Sequence, residues 1–219
     1  WNSAAGDEAF EGFEKSYTAA GGTIVKKLGL PFPNVEFQAL LTEIAALKPD
    51  AVACFFAGGG AAKFMRDYAA AGLNKSIQLY GSGFLTEGVL DAAGDAANGV
   101  LTTMHYGDSL NTPRDNQFRL EYAKAFKMQP DVYAVQGYDT GLLLVQGANA
   151  VKGDLSNKKA LYAAMEGATI DSPRGKWTMS KAHNPVQDMY LRRVENKENK
   201  VIGIAQKAVA DSGAGCRMG

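Results

Sequence analysis

The sequence predicts an α/β fold in which a parallel sheet is flanked by helices. Over the first half of the chain, short apolar runs of strand length alternate with stretches that carry apolar residues at helical spacing. Two of these runs stop abruptly in glycines, at Gly58-Gly59-Gly60 and at Gly81-Ser82-Gly83, and a helical pattern follows each. A buried parallel strand that ends in this way brings its carboxyl end to a binding crevice. We therefore expect a ligand site at these strand ends.

The first quarter of the chain predicts two helices with one strand between them. Acidic residues near its start and Gly21-Gly22 after its end bound the first helix, and two prolines interrupt the chain before the second. The expected elements are a helix over 7–20, a strand over 23–30, a loop over 30–34 and a helix over 35–47.

The same alternation continues to residue 106. Lys48-Pro49-Asp50 predicts a turn into the next strand, and Thr86 predicts a helix N-cap. The expected elements are strands over 51–56, 77–80 and 100–106, and helices that begin at 58 and at 86. Repeated strand–helix–strand units of this kind need right-handed crossovers and form a mostly parallel sheet.

The pattern changes after Asp108, where helices follow one another without intervening strands. Thr112-Pro113 is typical of a helix start, and Ser156 predicts a further N-cap. The expected elements are helices over 112–127, 131–151 and 156–166, extended segments over 175–179, 188–194 and 200–205, and a loose glycine-rich tail over 211–219. The last two extended segments form a predicted hairpin, and a domain boundary is predicted near residues 109–112.

The charge balance limits the classes of partner. Lys and Arg together number 23, and so do Asp and Glu. A neutral chain without charged blocks is a poor candidate for binding nucleic acid or an anionic membrane surface. No apolar run reaches the length of a membrane span, and the first residues carry no signal-peptide pattern. We expect no direct membrane insertion.

The cysteines and histidines do not predict catalysis. Cys54 lies in a predicted core strand and Cys216 in the tail, without the spacing of a zinc site. His105 and His183 are far apart, and neither has a convincing nucleophile or paired carboxylate beside it. We predict no enzyme activity, no metal and no cofactor, and the sequence leaves open whether either cysteine forms a disulfide.

The glycines at 58–60 admit two interpretations. Backbone N–H groups at a helix start can cradle a phosphate or receive a ligand carboxylate. The segment from Gly58 to Lys63 lacks the spacing of a phosphate-binding P-loop, and no dinucleotide motif follows the opening strand. A nucleotide-binding α/β enzyme domain is therefore the less favoured alternative.

A set of short stretches, in order along essentially the whole chain, carries a family resemblance. They include Lys48-Pro-Asp-Ala-Val, Gly94-Asp-Ala-Ala-Asn-Gly-Val, Tyr133-Ala-Val-Gln-Gly-Tyr-Asp, Asp171-Ser-Pro-Arg-Gly and His183-Asn-Pro-Val-Gln-Asp. Together they resemble the Leu/Ile/Val-binding family of periplasmic solute-binding proteins, the type I periplasmic binding proteins. The resemblance implies a hinged, two-lobed protein in the periplasm, in its mature form, that traps a small-molecule ligand and delivers it to the membrane permease of an ABC importer. A ligand-sensing domain remains an alternative.

The resemblance also implies how the chain divides into lobes. Residues 1–112, joined by a C-terminal strand of about 196–219, would form one α/β ligand-binding lobe. Residues 113–195 would form the helical and hairpin remainder of the other lobe, whose sheet core is absent from this chain. Within that remainder, Arg174 is expected to fix a turn and Asp139 to lie on a helix surface.

The resemblance places two strand ends at the ligand, Phe56-Ala57-Gly58 and Ser82-Gly83-Phe84. His105 and Tyr106, at a further predicted strand end, are added as candidate ligand residues, with His105 as a donor to an anionic ligand or, alternatively, a hydrogen-bonded histidine at the rim. Family members that bind amino acids carry an acidic residue near Gly83 to pair with the ligand ammonium, and this sequence has none there. A buried ammonium without a counter-charge is costly. Aromatic faces are offered instead by Phe84, by Phe55 or Phe56, and by Tyr80 and Tyr106. We therefore favour a small aromatic carboxylate as the ligand, with a branched-chain amino acid as the alternative.

Overall fold

The computed structural model describes residues 1–214, which form two compact units. Unit 1 comprises Trp1–Thr103 and Arg193–Asn199, and unit 2 comprises Met104–Arg192 and the described residues from Lys200 onward. The chain therefore passes between the units three times. The first passage, after Thr103, precedes the boundary expected near 109–112, and most of the last strand belongs to unit 2.

Unit 1 is built on a parallel sheet. Its helices are α1 (Ala4–Ala19), α2 (Gln38–Leu47), α3 (Gly58–Ala70) and α4 (Leu90–Ala93), and its strands are β1 (Ala51–Cys54), β2 (Gln78–Ser82) and β3 (Leu101–Met104). Strand β2 pairs in parallel with both β1 and β3, with Val52 opposite Leu79 and Ser82 opposite Thr103. This confirms the predicted strand–helix–strand alternation.

Aromatic side chains fill the core of unit 1. The ring centroid of Phe56 lies 5.1 Å from that of Phe37 and 4.8 Å from that of Phe64. The Trp1 ring contacts Phe56 edge-on at 5.2 Å. Leu41, on the apolar side of α2, is buried in the same cluster. Aromatic pairs at these separations add roughly 0.5–1.5 kcal/mol each beyond the burial of their area.

Two sequence predictions in unit 1 are wrong. The strand predicted over 23–30 is absent, and within residues 1–214 the only regular pairing near it is a single bridge between Asn2 and Pro31. A strand needs a neighbour along its whole length to satisfy its backbone groups. Thr86 does not cap a helix, because α4 begins only at Leu90; the Thr86 hydroxyl is buried and donates to the Gly83 carbonyl.

Unit 2 combines three helices with an antiparallel sheet. The helices are α5 (Pro113–Phe126), α6 (Val132–Ala150) and α7 (Lys158–Glu166), and the strands are β4 (Thr169–Ile170), β5 (Trp177–Met179), β6 (Pro185–Glu195) and β7 (Glu198–Val209). Strand β5 pairs with β4 and with β6, and β7 pairs with β6. The predicted hairpin is confirmed, with both turn residues, Asn196 and Lys197, in the left-handed region.

Side-chain caps set the starts of the helices in unit 2. Thr112 accepts a hydrogen bond from the Asp115 backbone N–H, which confirms the predicted cap, and Asp131 accepts one from the Ala134 backbone N–H. Helix α7 is capped by Asn157 rather than by Ser156. The Ser156 hydroxyl instead donates to the Asp154 carboxylate at 2.6 Å, so the predicted cap is wrong by one residue.

Among residues 1–214, no helix has the length and apolar character that a membrane span requires. The predicted loose tail lies mostly beyond these residues, and its Cys216, which such a tail would expose, lies outside the described part of the chain.

Candidate functional site

The predicted site residues of unit 1 lie at the carboxyl ends of β1 and β2. Helix α3 starts at Gly58, whose φ of +57° lies in the left-handed region, and Ala57 before it has an extended backbone and provides no side-chain cap. An uncapped N-terminus presents backbone N–H groups and the positive end of the helix dipole, which attract anions. This strand end is therefore suited to a carboxylate.

The two neighbouring phenylalanines after β1 have different environments. Phe56 is 5 % exposed and packs in the core of unit 1. Phe55 is half-buried, and its ring meets Phe84 edge-on at 6.3 Å. Phe84 is 39 % exposed. The aromatic surface that unit 1 offers to a ligand is therefore made by Phe55 and Phe84, with Phe56 supporting it from below.

The end of β2 carries polar atoms but no acid. Ser82 Oγ is buried and has no hydrogen-bond partner among residues 1–214. Gly83 is buried and opens a single 3₁₀ turn that includes Phe84. No acidic side chain occurs between Gly81 and Thr86, and Glu87 is the first. This segment offers a hydroxyl and an aromatic ring, and no counter-charge for an ammonium group.

His105 is a buried, neutral histidine of unit 2. It is 7 % exposed, and its Nε2 lies 3.3 Å from Gln136 Nε2. Burial, followed by the positive charges of Arg174 and Arg192, lowers the pKa of His105 to about 3. Gln136 lies 31 positions further along the chain, and no local sequence pattern links it to the histidine.

Tyr106 is held inside unit 2. It is 2 % exposed, and its hydroxyl donates to Asp115 Oδ1 at 2.8 Å and accepts from Arg119 at 3.1 Å. Its backbone carbonyl accepts from Arg192 Nη1 at 2.9 Å. Burial, followed by the Asp115 charge, raises the pKa of Tyr106 well above its usual range. The Tyr106 ring therefore packs the core, and it fixes the backbone next to His105.

A buried ion pair supports the same region of unit 2. The Arg174 side chain is 2.6 Å from Asp139 Oδ2, which also accepts from Trp177 Nε1 at 3.0 Å. Tyr190 donates to the Arg174 carbonyl at 2.7 Å. Asp139 is 2 % exposed, so the expectation that it lies on a helix surface is wrong. Arg174 lies within the turn that the Gly175 N–H closes on the Ser172 carbonyl, and its charge also influences His105.

The remaining reactive groups lie apart from one another. Cys54 is a free thiol whose pKa burial raises to about 12, which keeps it protonated and unreactive. His183 pairs with Glu166 on the surface at 3.0 Å. Within residues 1–214, no three histidine, cysteine or acidic side chains come together as a metal ion would require.

Comparison with known proteins decides the family. A family model described as periplasmic binding protein matches residues 2–199. The chain belongs to the periplasmic binding protein family. This confirms the resemblance that its sequence carries, and its α/β organisation agrees with that of the relatives whose structures are solved.

The relatives are longer than this chain. The Leu/Ile/Val-binding protein homolog 6 of Brucella abortus (strain 2308) is 31 % identical over 200 residues, which cover 89 % of this chain and 51 % of the relative. A solute-binding protein of an ABC transporter from R. palustris, solved in complex with benzoate, is 50 % identical with a TM-score of 0.90 and covers 99 % of this chain. The chain spans 60 % of that protein.

A second solved relative has a related ligand. The solute-binding protein of an ABC transporter from Rhodopseudomonas palustris BisB5, in complex with 3,4-dihydroxybenzoic acid, is 33 % identical with a TM-score of 0.84. It covers 97 % of this chain, which spans 60 % of it.

Proposed function

We propose that this chain is the larger part of an extracytoplasmic solute-binding protein that captures a small aromatic carboxylate and delivers it to the permease of an ABC importer. The observation that carries the proposal is the relative that is 50 % identical over 99 % of this chain and was solved with benzoate. In this proposal the protein binds and releases its solute unchanged, in the periplasm, and no catalytic group is required.

The candidate surface of unit 1 supports an aromatic acid. Phe55 and Phe84, whose rings meet edge-on, offer an aromatic surface to the ring of the ligand. The start of α3 at Gly58 has no side-chain cap, so its backbone N–H groups attract a carboxylate. Gly83 and Ser82 carry no charge. Of the sequence-predicted ligand residues, Ala57, Gly58, Ser82, Gly83 and Phe84 keep their proposed role here, and Phe55 takes the role of Phe56.

A branched-chain amino acid is the second candidate ligand, because the curated relatives are named Leu/Ile/Val-binding protein homologs. Such a ligand carries an ammonium group, and the segment from Gly81 to Thr86 has no carboxylate to pair with it. Desolvating an unpaired ammonium costs several kcal/mol in a protein interior. The acid-free segment therefore favours the aromatic carboxylate.

We also propose that the two units belong to the two lobes implied by the family. Unit 2 exposes large apolar side chains on α6, where Leu144 is 54 % and Val145 59 % exposed. Exposed apolar stripes of this kind are suited to packing against further structure. The relatives, of which this chain spans 60 %, have enough additional chain to supply a sheet there.

The ligand proposal is tested by calorimetry on the intact protein, produced at the length of its relatives. We expect benzoate to bind with a Kd on the order of micromolar and leucine to bind at least about 100-fold more weakly. Replacement of the exposed ring in Phe84→Ala should weaken benzoate binding about 10-fold. Tyr17→Ala, at an equally exposed aromatic on α1, is the matched control and should leave binding unchanged.

Each outcome has a separate meaning. Tight binding of leucine without binding of benzoate would replace the aromatic acid by an amino acid as ligand. If no aromatic acid or amino acid gives calorimetric heat or a thermal shift, the solute-binding proposal fails. Unchanged benzoate affinity in Phe84→Ala would remove the surface of unit 1 from the proposed site.

A further inference from the structure

Strand β1 has an open edge in the sheet of unit 1. Within residues 1–214 it lies at the end of the strand order and pairs with β2 on one side only. Its residues, Ala51–Cys54, are all apolar, which is typical of a parallel strand that is covered on both faces. Ala51 and Ala53 are nevertheless exposed. The open edge offers backbone N–H and C=O groups to a further strand.

The segment 23–30 is attached to two helices of unit 1. Lys26 pairs with Glu43 on α2 at 3.4 Å, and the next residue, Lys27, pairs with Asp7 on α1 at 2.9 Å. Neighbouring side chains that reach different helices alternate as the side chains of an extended strand do. The segment therefore has the side-chain alternation of a strand without a paired neighbour along its length in the described part of the chain.

A strand-like hydrogen bond already joins the start of the chain to this segment. The Asn2 backbone N–H donates to the Leu30 carbonyl at 2.7 Å, and Asn2 and Pro31 form a parallel bridge. A parallel bridge fixes the direction and the register of a strand that continues it. Continued backwards along the chain, this register places the residues that precede Trp1 in the intact protein beside residues 23–29.

The same end of the chain lies against β1. The Trp1 ring contacts Phe56, which follows β1 by two residues, at a centroid distance of 5.2 Å. Burial raises the pKa of Cys54, the last residue of β1, to about 12, and the positive α-amino group of Trp1 acts on that thiol in the opposite direction. Backbone that enters at Trp1 therefore comes from between β1 and the segment 23–30.

We propose that β1 and the segment 23–30 form a slot for one parallel β-strand, and that the occupant is the stretch of the intact protein that precedes Trp1. This strand pairs with β1 on one side and with residues 23–30 on the other, and it extends the parallel sheet of unit 1 by two strands. Its sequence is apolar and about five residues long, because it lies inside a parallel sheet. The relative solved with benzoate has additional chain to supply it, since this chain spans 60 % of that protein.

The inference goes beyond the proposed function. It rests on the proposal that the intact protein is longer than this chain, and it does not depend on the identity of the ligand. Every contact that carries it lies within unit 1.

Hydrogen exchange on proteins of two lengths tests the slot without any substitution. The 219-residue chain and the intact protein are compared by exchange and mass spectrometry. We expect residues 23–30 and Ala51–Cys54 to exchange at least about 10-fold more slowly in the intact protein, because their free N–H groups gain partners. Strand β2, which is already paired on both sides, is the control for a general gain in stability and should change less. Equal protection of residues 23–30 in the two proteins would overturn the inference.

Two proline substitutions separate the slot from the outer edge of the segment. In an extended strand the N–H groups of successive residues point to opposite edges, and the hydrogen bond from Asn2 to Leu30 marks the residues that face the slot. Lys26 lies an even number of residues from Leu30 and faces the slot, whereas Lys27 faces the other edge. The two positions are matched, because each is an exposed lysine with one ion pair.

The effect of each proline is measured by denaturant titration. In the intact protein we expect Lys26→Pro to raise the equilibrium constant of unfolding about 10-fold more than Lys27→Pro, because it removes a hydrogen-bond donor from the inside of the sheet. In the 219-residue chain, where the slot has no strand, the two variants should agree within about 3-fold. Equal effects of the two prolines in the intact protein would contradict the inference.

A second copy of the protein is the competing occupant of the open edge. A strand from the same chain protects Ala51–Cys54 to the same extent at every protein concentration. Protection that rises with protein concentration, together with a dimer in light scattering, would assign the edge to a second copy and overturn the inference.

These results also distinguish the slot from the proposed function. If the intact protein shows the expected protection but binds no aromatic acid or amino acid, the strand is supported and the proposed function fails. If the intact protein binds benzoate while residues 23–30 exchange as fast as in the 219-residue chain, the proposed function stands and the slot fails.

Discussion

At the scale of single residues, the neutrality of His105 is the property with the clearest consequence. Burial and two neighbouring arginines stabilise the uncharged ring, so His105 keeps the same charge across the physiological range. A histidine that does not titrate keeps the charge of its surroundings constant over this range of pH. Because the buried ring resists protonation, the folded state loses stability in acid.

The pKa of His105 is lowered to about 3 in the folded state, so between pH 6.5 and about 3 the unfolded state binds the proton more readily. This contribution to stability is fully present above the unfolded pKa and is lost as the pH falls, by about 1.4 kcal/mol per unit in that window. Chemical unfolding of the wild-type chain between pH 7 and 4.5 should show this slope, which His105→Asn should reduce. Parallel pH profiles of the two proteins would contradict it.

Some properties of these single residues could be predicted from the sequence, and others could not. The position of His105 at a strand end could be predicted, since β3 ends one residue earlier. The choice between Phe55 and Phe56 could not, because a shift of one residue in a strand exchanges its two faces. Gln136 was missed because its contact with His105 joins two distant positions through the packing of α6.

At the scale of elements, two helix starts in unit 2 were predicted correctly, because the capping residue and the residues that follow it both indicate a helix. Thr112 precedes a proline at the first helical position, and Asp131 precedes a long apolar helix. Where two candidate caps are adjacent, as with Ser156 and Asn157, the choice depends on side-chain partners. Asp154 binds the Ser156 hydroxyl and leaves Asn157 to cap α7.

Removal of the α5 cap should have a measurable effect on unfolding. Thr112 Oγ1 accepts from the Asp115 N–H at 3.1 Å, and Thr112→Ala leaves that donor without its partner. We expect the free energy of unfolding to fall by about 1 kcal/mol, measured by denaturant titration. Thr112→Asn keeps an accepting side chain and is the matched control. A loss in Thr112→Asn as large as in Thr112→Ala would show that the cap is not the cause.

The strand expected over 23–30 shows that the residue pattern of a segment does not by itself determine whether a strand forms. Its residues have a suitable composition, but strand formation depends on a neighbour that is close in space and not encoded locally. Only Asn2 makes a bridge near it, with Pro31. By contrast, β1 and β2 formed as predicted because each finds a parallel partner over several residues.

At the scale of the whole molecule, the proposed binding of benzoate depends on how much of the protein is present. The chain spans 60 % of the relative that was solved with benzoate. Small-molecule sites bury most of the surface of their ligand, which requires walls on several sides. We expect the 219-residue chain by itself to bind benzoate at least about 100-fold more weakly than the intact protein, measured by calorimetry. Equal affinity would show that the residues described here form the complete site.

The three passages of the chain between its units have a consequence for how this protein can change over time. Unit 1 needs the short stretch Arg193–Asn199, and the residues on both sides of that stretch belong to unit 2. Within it, the Val194 N–H donates to the Val100 carbonyl and the Val194 carbonyl accepts from the Gly99 N–H, both at 2.9 Å. A single crossover between two related genes therefore cannot transfer one intact unit. Each recombinant would join pieces with different ancestries inside the same sheet. New preferences for the proposed ligand are thus expected to arise by substitution at positions such as Phe55 and Phe84, while the two units are inherited together.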